Sequence, residues 1–238
     1  LGIFTSLEVV SVLEIHSGDQ SLAAVPLFSQ LSSEALEELA RSTRVRSYPR
    51  GHILCHEGDP GDSLIVLESG QLRVSRYSAA GDEAVLAVVE PPAVVGELAL
   101  LDGAPRDATV IAQRAVTVRL VPRSVFLDLV KKEPAAVDGL LRALADLVRT
   151  SNARHADFVS LDVPGRVAKW LLLQAAKGGE PVPTVCLGRS QGELAAELGT
   201  TRSTLNRALR EFESRGLVEV GENQVTILKP DVLRGYTT

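Results

Sequence analysis

Residues 95–109 read VGELALLDGAPRDAT, and the rest of the chain is read outward from this run. Gly96 carries no Cβ and lets the backbone come close to a ligand. Glu97 to Leu101 is long enough for one helical turn, whose free N–H groups face an anion. Past a Gly-Ala-Pro corner, Arg106 adds a planar, permanently charged fork suited to a phosphate. The Glu97 carboxylate can accept hydrogen bonds from a sugar hydroxyl. One run thus offers a phosphate site beside a ribose site, drawn from Gly96, Glu97, Leu98, Ala99, Arg106, Asp107 and Ala108.

Around it, residues 51–122 read as short strands punctuated by Gly51, Gly58, Gly61, Gly70 and Gly81. Ile53, Leu64, Val66, Leu72, Val74, Val85 and Leu86 alternate in part, which predicts a small antiparallel barrel or roll. The 95–109 run interrupts it, and Val110 to Val121 returns as the last strands. GELALLDGAPRDATV (96–110) and DPGDSLIVLESGQLRV (59–74) resemble the cyclic-nucleotide-binding domains of cyclic-AMP-dependent kinase regulatory subunits and of bacterial CRP/FNR regulators. The resemblance implies a β-roll that takes cyclic AMP as effector, with Glu97 on the ribose 2′-hydroxyl and Arg106 on the cyclic phosphate. Such pockets carry Ser, Thr or Ala after the arginine, whereas this chain has Asp107. A carboxylate there opposes an anion, so a weak or silent pocket, or one answering another ligand or a redox signal, is the alternative.

Upstream, residues 1–24 form an extension for which helix and strand both stay open. Leu31 leads to a helix capped by Ser32 or Ser33, with Leu36, Leu39 and Ala40 on one face, expected to end before Tyr48-Pro49. His52, Cys55, His56 and Glu57 resemble a metal cluster in composition only. On a strand the two histidines share a face and Cys55 points away, and the spacing fits no common zinc pattern, so no metal is expected. Two cysteines, Cys55 and Cys186, are too few for iron–sulfur sensing of the FNR type.

Downstream, residues 124–161 read as helix, broken near Glu133-Pro134. Val137, Leu141, Leu144, Val148, Ser151, His155 and Phe158 recur at 3–4 spacing. That stripe suits a helix packed on its own domain or a dimer seam, and the family resemblance favours a homodimer. It also implies that the adenine would meet Ser151 of one helix and Asn152 of the partner subunit. Leu161-Asp162-Val163-Pro164-Gly165-Arg166 reads as a hinge, followed by a helix from Arg166 to Ala176.

Residues 190–212, SQGELAAELGTTRSTLNRALREF, read as helix, turn, helix. Leu194, Ala195 and Leu198 line the first helix, Gly199 makes the turn, and Thr200 or Thr201 caps the second. Leu205, Ala208, Leu209 and Phe212 share one side of that helix. Thr201, Arg202, Ser203, Asn206, Arg207 and Arg210 form the polar and basic DNA-binding side that major-groove reading requires. Leu217–Val220 and Gln224–Leu228 add a hairpin, hence a winged helix-turn-helix. In CRP/FNR regulators the recognition helix carries arginine, glutamate and a second arginine. Here those positions hold Arg202, Ser203 and Arg207, so the family's usual half-site is only partly expected.

The expected fold is α+β: extension 1–24, antiparallel β-roll 25–133, dimerisation helix and hinge 134–162, winged helix-turn-helix 163–238. Net charge is −5, but residues 163–238 hold ten Lys/Arg against eight Asp/Glu, which turns the C-terminal part toward an anionic polymer. Double-stranded DNA with a near-palindromic site is the expected partner, and the resemblance adds RNA polymerase. No run of eighteen apolar residues predicts a membrane span. Residues 1–15 lack a cationic start, so no signal peptide is expected, and the two cysteines suit the cytoplasm. The sequence starts at Leu1 and holds no methionine, so the native start is expected to lie outside it. No P-loop, nucleophile elbow or metal triad points to an enzyme.

Overall fold

The Ser32 hydroxyl accepts from the Ala35 N–H at 3.2 Å and caps α1 (Ser33–Arg41). The structure is a computed structural model that describes residues 22–79, 81, 83–178, 183–188 and 190–237. Expectations for residues 1–21 lie outside them. Ala35, Leu36 and Leu39 bury the inner face of α1 against Leu22, Val25, Leu27 and Phe28.

The helix gives way to β1 (Arg44–Tyr48), a strand that sequence reading leaves out. Among the described residues it is an edge strand paired with β8 alone, and four of its five residues are exposed. Such a strand has no buried face to impose alternation. The roll continues with β2 (Ile53–Cys55), β3 (Ser63–Ser69), β4 (Leu72–Tyr77), β5 (Glu83–Val89) and β6 (Ala93–Val95). After α2 (Glu97–Asp102) it closes with β7 (Thr109–Ala112) and β8 (Val116–Pro122). The strands form two antiparallel sheets, β1-β8-β3-β6 and β2-β7-β4-β5. Ile65, Leu67, Leu72, Val95, Val110 and Val118 fill the space between them. Four successive residues of β3, Leu64 to Leu67, are buried. One face of β3 meets the roll interior, while Leu64 and Val66 meet the helical layer. This double burial is why alternation there is only partial.

Pro134 follows α3 (Arg123–Lys132) and begins α4 (Pro134–Ser160), a helix of 27 residues. Its first turns bury Ala136, Gly139 and Leu140. At Gly139 the contact is backbone to backbone: a Cβ there would lie 2.2 Å from the Leu27 carbonyl oxygen. Farther along, Leu141, Leu147 and Val148 are exposed.

After a two-residue break the C-terminal part has its own core. Asp162 Oδ1 accepts from the Gly165 N–H at 2.8 Å, so α5 (Val163–Gly178) starts three residues before the expected Arg166. It packs Val167, Trp170 and Leu171 against Leu194, Leu205, Phe212 and Val225. The remaining elements are β9 (Thr184–Cys186), α6 (Gln191–Glu197), α7 (Arg202–Ser214), β10 (Val218–Val220), β11 (Gln224–Ile227) and α8 (Pro230–Arg234). The three strands form an antiparallel sheet in the order β10-β11-β9.

Candidate functional site

β6 delivers the chain to Gly96, whose φ of 90° turns it into α2. Gly103, with φ of 74°, ends α2 and donates its N–H to the Ala99 carbonyl at 3.0 Å. The next segment returns Arg106 beneath the start of α2. Arg106 is only 5% exposed. Its Nη1 donates to the Gly96 carbonyl at 3.1 Å, and its Nη2 to the Ser63 carbonyl at 2.5 Å. Its own N–H donates to Asp59 and its carbonyl accepts from Gly58, both at 2.8 Å. The buried Nε has no hydrogen-bond partner among the described residues. Among the described residues its hydrogen-bond acceptors are neutral, so this buried cation keeps charge and donor capacity suited to an anion.

Glu97 opens α2, half-buried beside Arg106. Burial pushes its carboxyl above the usual range; Asp107 pushes the same way, against the N–H groups of Glu97 and Gly96 and the charge of Arg106. Asp107 is exposed, Ala99 and Ala108 are buried, and Leu98 is exposed. The negative charge at Asp107 is answered nearby by Arg76, which also pairs with Glu57 at 2.6 Å. Sequence reading leaves out Arg76 and Ser63, which lie far from Arg106 and Asp107 in the chain and reach them only through the folding of the roll.

A cavity of about 240 Å³ opens on the roll side of Arg106, lined also by Tyr48, Leu54, Cys55, Asp59 and Ser63. Burial pushes the Cys55 thiol up, with Arg106 opposing. A protonated thiol is a poor redox nucleophile. Tyr48 stacks on His52 at 4.4 Å, and among the described residues no group of three His, Cys, Asp or Glu is placed to hold a metal. Ser151 and Asn152 lie exposed on α4, near Arg154, which donates to the Leu86 carbonyl of β5.

In the C-terminal part, Ser190 caps α6 in a reciprocal box: its hydroxyl accepts from the Glu193 N–H, and Glu193 Oε2 accepts from the Ser190 N–H at 2.8 Å. Gly199 makes the turn with φ of 61°. Of the two candidate caps, Thr201 is the one, accepting from the Thr204 N–H at 3.3 Å. Its hydroxyl also meets the Ser203 hydroxyl at 2.9 Å. Leu205, Ala208, Leu209 and Phe212 are buried, whereas Arg202, Ser203, Arg207 and Arg210 are exposed and Asn206 is half-buried. The result is an open basic face on a rigid helix. The end of α4 meets the turn before that helix: a Cβ on Gly199 would lie 2.3 Å from the Phe158 ring. Arg166 stacks over that ring at 5.0 Å and donates to the Leu198 carbonyl at 3.0 Å.

Residues 45–133 match the family model of the cyclic nucleotide-binding domain, and residues 165–236 that of the Crp-like helix-turn-helix domain. The chain is 32% identical over 212 residues to the CRP-like cAMP-activated global transcriptional regulator of Mycobacterium tuberculosis, covering 88% of this chain and 95% of that protein. It is 30% identical to the cyclic AMP receptor protein of Thermus thermophilus, covering 87% and 94%. Among solved structures, FixK2 from Bradyrhizobium japonicum shares the fold, with a TM-score of 0.72 at 21% identity over 82% of this chain and 98% of that one.

Proposed function

Since the chain belongs to the CRP/FNR family of transcription regulators, we propose that it acts as a homodimer whose affinity for DNA is set by cyclic AMP. The observation that carries the reading is Arg106, buried under the α2 turn with an unmatched donor. A cyclic phosphate supplies the missing acceptors and the missing charge. Glu97 then takes the ribose 2′-hydroxyl, and Gly96, Leu98, Ala99 and Ala108 bring backbone close to the sugar phosphate. Asp107 points to solvent, and Arg76 offsets its charge. The exposed Leu141 and Val148 of α4 pair with those of a second copy, which sets Ser151 of one helix and Asn152 of the partner subunit against the adenine.

Binding changes the DNA affinity only through its different strength in two arrangements of the domains. In the competent one, two α7 helices enter successive major grooves, so half-sites lie about 34 Å apart on a near-palindromic site. Arg202 and Arg207 pair with guanines, and Ser203 reads with less selectivity than a carboxylate. Contact with RNA polymerase in the cytoplasm follows from the family role.

A second reading rests on the carbonyls that already hold Arg106 Nη1 and Nη2: the pocket is silent or takes another ligand. A calorimetric titration with cyclic AMP, against cyclic GMP, decides between them. Micromolar, adenine-selective saturation supports the first reading, and no saturation up to millimolar refutes it.

A further inference from the structure

Glu193 does more than close the cap of α6. While Oε2 is engaged by Ser190, Oε1 faces out of the helix-turn-helix and meets the roll, 3.5 Å from Arg50 Nη2 and 3.7 Å from Arg73 Nη1. Arg73 is mostly buried and braced by Glu83 at 3.0 Å. Burial works against the Glu193 charge, but the Ser190 bonds and the two arginines hold its carboxyl below the usual range. Around this pair α6 lies along β5, and Arg114 of the roll donates to the Gly188 carbonyl at 3.4 Å. The complementarity is one-sided: the roll supplies guanidinium groups, and the start of the helix-turn-helix supplies a carboxylate and a carbonyl.

This docking conflicts with the task of α6. In a helix-turn-helix bound to DNA the first helix crosses the sugar–phosphate backbone while the second enters the groove. While α6 lies along β5, the roll blocks the approach of a duplex on the side that carries Glu193. We propose that the contact of Glu193 with Arg50 and Arg73 is an autoinhibitory clasp, which parks the helix-turn-helix on the roll and keeps DNA affinity low until it opens. The proposal rests on the regulator reading of α7 but not on the identity of the effector.

The test uses the full chain without nucleotide and a duplex selected from random sequences. Glu193→Gln keeps an N3 residue suited to the capping box and removes the charge from both pairs. Its DNA affinity is expected to rise about three- to tenfold over the parent, the scale of two partly screened ion pairs. Arg50→Gln is expected to give a smaller rise, and small-angle scattering a larger radius of gyration for Glu193→Gln. Glu222→Gln, at an exposed acid of the β10–β11 hairpin, makes the same charge change without the clasp. Unchanged or lower affinity in Glu193→Gln with parental melting, or an equal rise in Glu222→Gln, overturns the proposal. If cyclic AMP fails to bind yet Glu193→Gln still gains affinity, the clasp stands and the nucleotide reading falls. If neither protein selects a duplex, the clasp and the regulator reading of α7 both fall.

Discussion

Replacing Gly96 by alanine adds one carbon where the cassette formed by residues 95–109 has no room. The backbone there has φ of 90°, which costs an L-residue about 1–2 kcal/mol. The new Cβ would lie 1.9 Å from Arg106 Nη1. The guanidinium cannot step aside freely, because it is buried and bonded to the Gly96 and Ser63 carbonyls. Forcing it aside is overpacking, worth about 1–3 kcal/mol more. The total, about 2–5 kcal/mol, lowers Tm on the order of 10 °C in a chain of this size. Gly51→Ala is the reference: its φ is 85° and nothing lies within 4 Å of the added carbon, so only the backbone cost applies. Thermal unfolding by circular dichroism compares the two, and calorimetry follows cyclic AMP. Gly96→Ala should melt well below Gly51→Ala and lose nucleotide saturation. Equal melting temperatures would refute the packing argument, and retained binding would refute the placing of Arg106 in the site.

The Glu97 carboxyl is raised in the fold by burial above an unfolded value of about 4.3. The folded state therefore holds that proton more tightly, so this contribution is fully present below the unfolded pKa and is lost as pH rises through the folded one. Denaturant melts of Glu97→Gln should lack that decline just above the ordinary carboxylate range, and curves parallel to the parent's would show the burial argument wrong. Over the same window cyclic AMP affinity should rise with pH, as the hydroxyl acceptor ionises. Arg202→Ala should weaken binding to the selected duplex by roughly 5- to 150-fold, the loss of one bidentate guanine contact; full affinity in a gel-shift titration would remove Arg202 from the interface. Leu141→Asp with Val148→Asp places two charges in the proposed dimer seam, and sedimentation should then report monomers; an intact dimer would move the interface elsewhere.

The cassette and the helix-turn-helix were legible because each is local. Gly96, Glu97 and Arg106 fall within eleven residues, and the Ser190 and Thr201 caps sit directly before their helices. β1 was not legible, since its exposed edge leaves no apolar period. The stripe along α4 suits a helix packed on its own domain or a dimer seam, and the structure divides it between surfaces. Leu144 packs with the helical core of the roll, Leu141 and Val148 face outward, and Phe158 meets Gly199. Spacing alone cannot assign such a stripe, because a long helix that packs on its own domain and on another surface carries two overlapping apolar faces. The roles of Arg50, Arg73 and Glu193 were hidden for another reason: their partners are far apart in the chain and meet only through the docking of two folded units.

The glycine at the start of α4 gives the helix mechanical leverage. Were the helix to tilt about the close contact between Gly139 and the Leu27 carbonyl, that point would serve as the fulcrum and the helix beyond it as the arm. Phe158 sits nineteen residues farther on, about 28 Å at 1.5 Å per residue. A tilt of about 5° at the fulcrum swings the ring by about 2.5 Å, more than a bond length, and lifts it from Gly199. Small displacements at the roll end would thus reach the turn before α7 amplified by arm length alone.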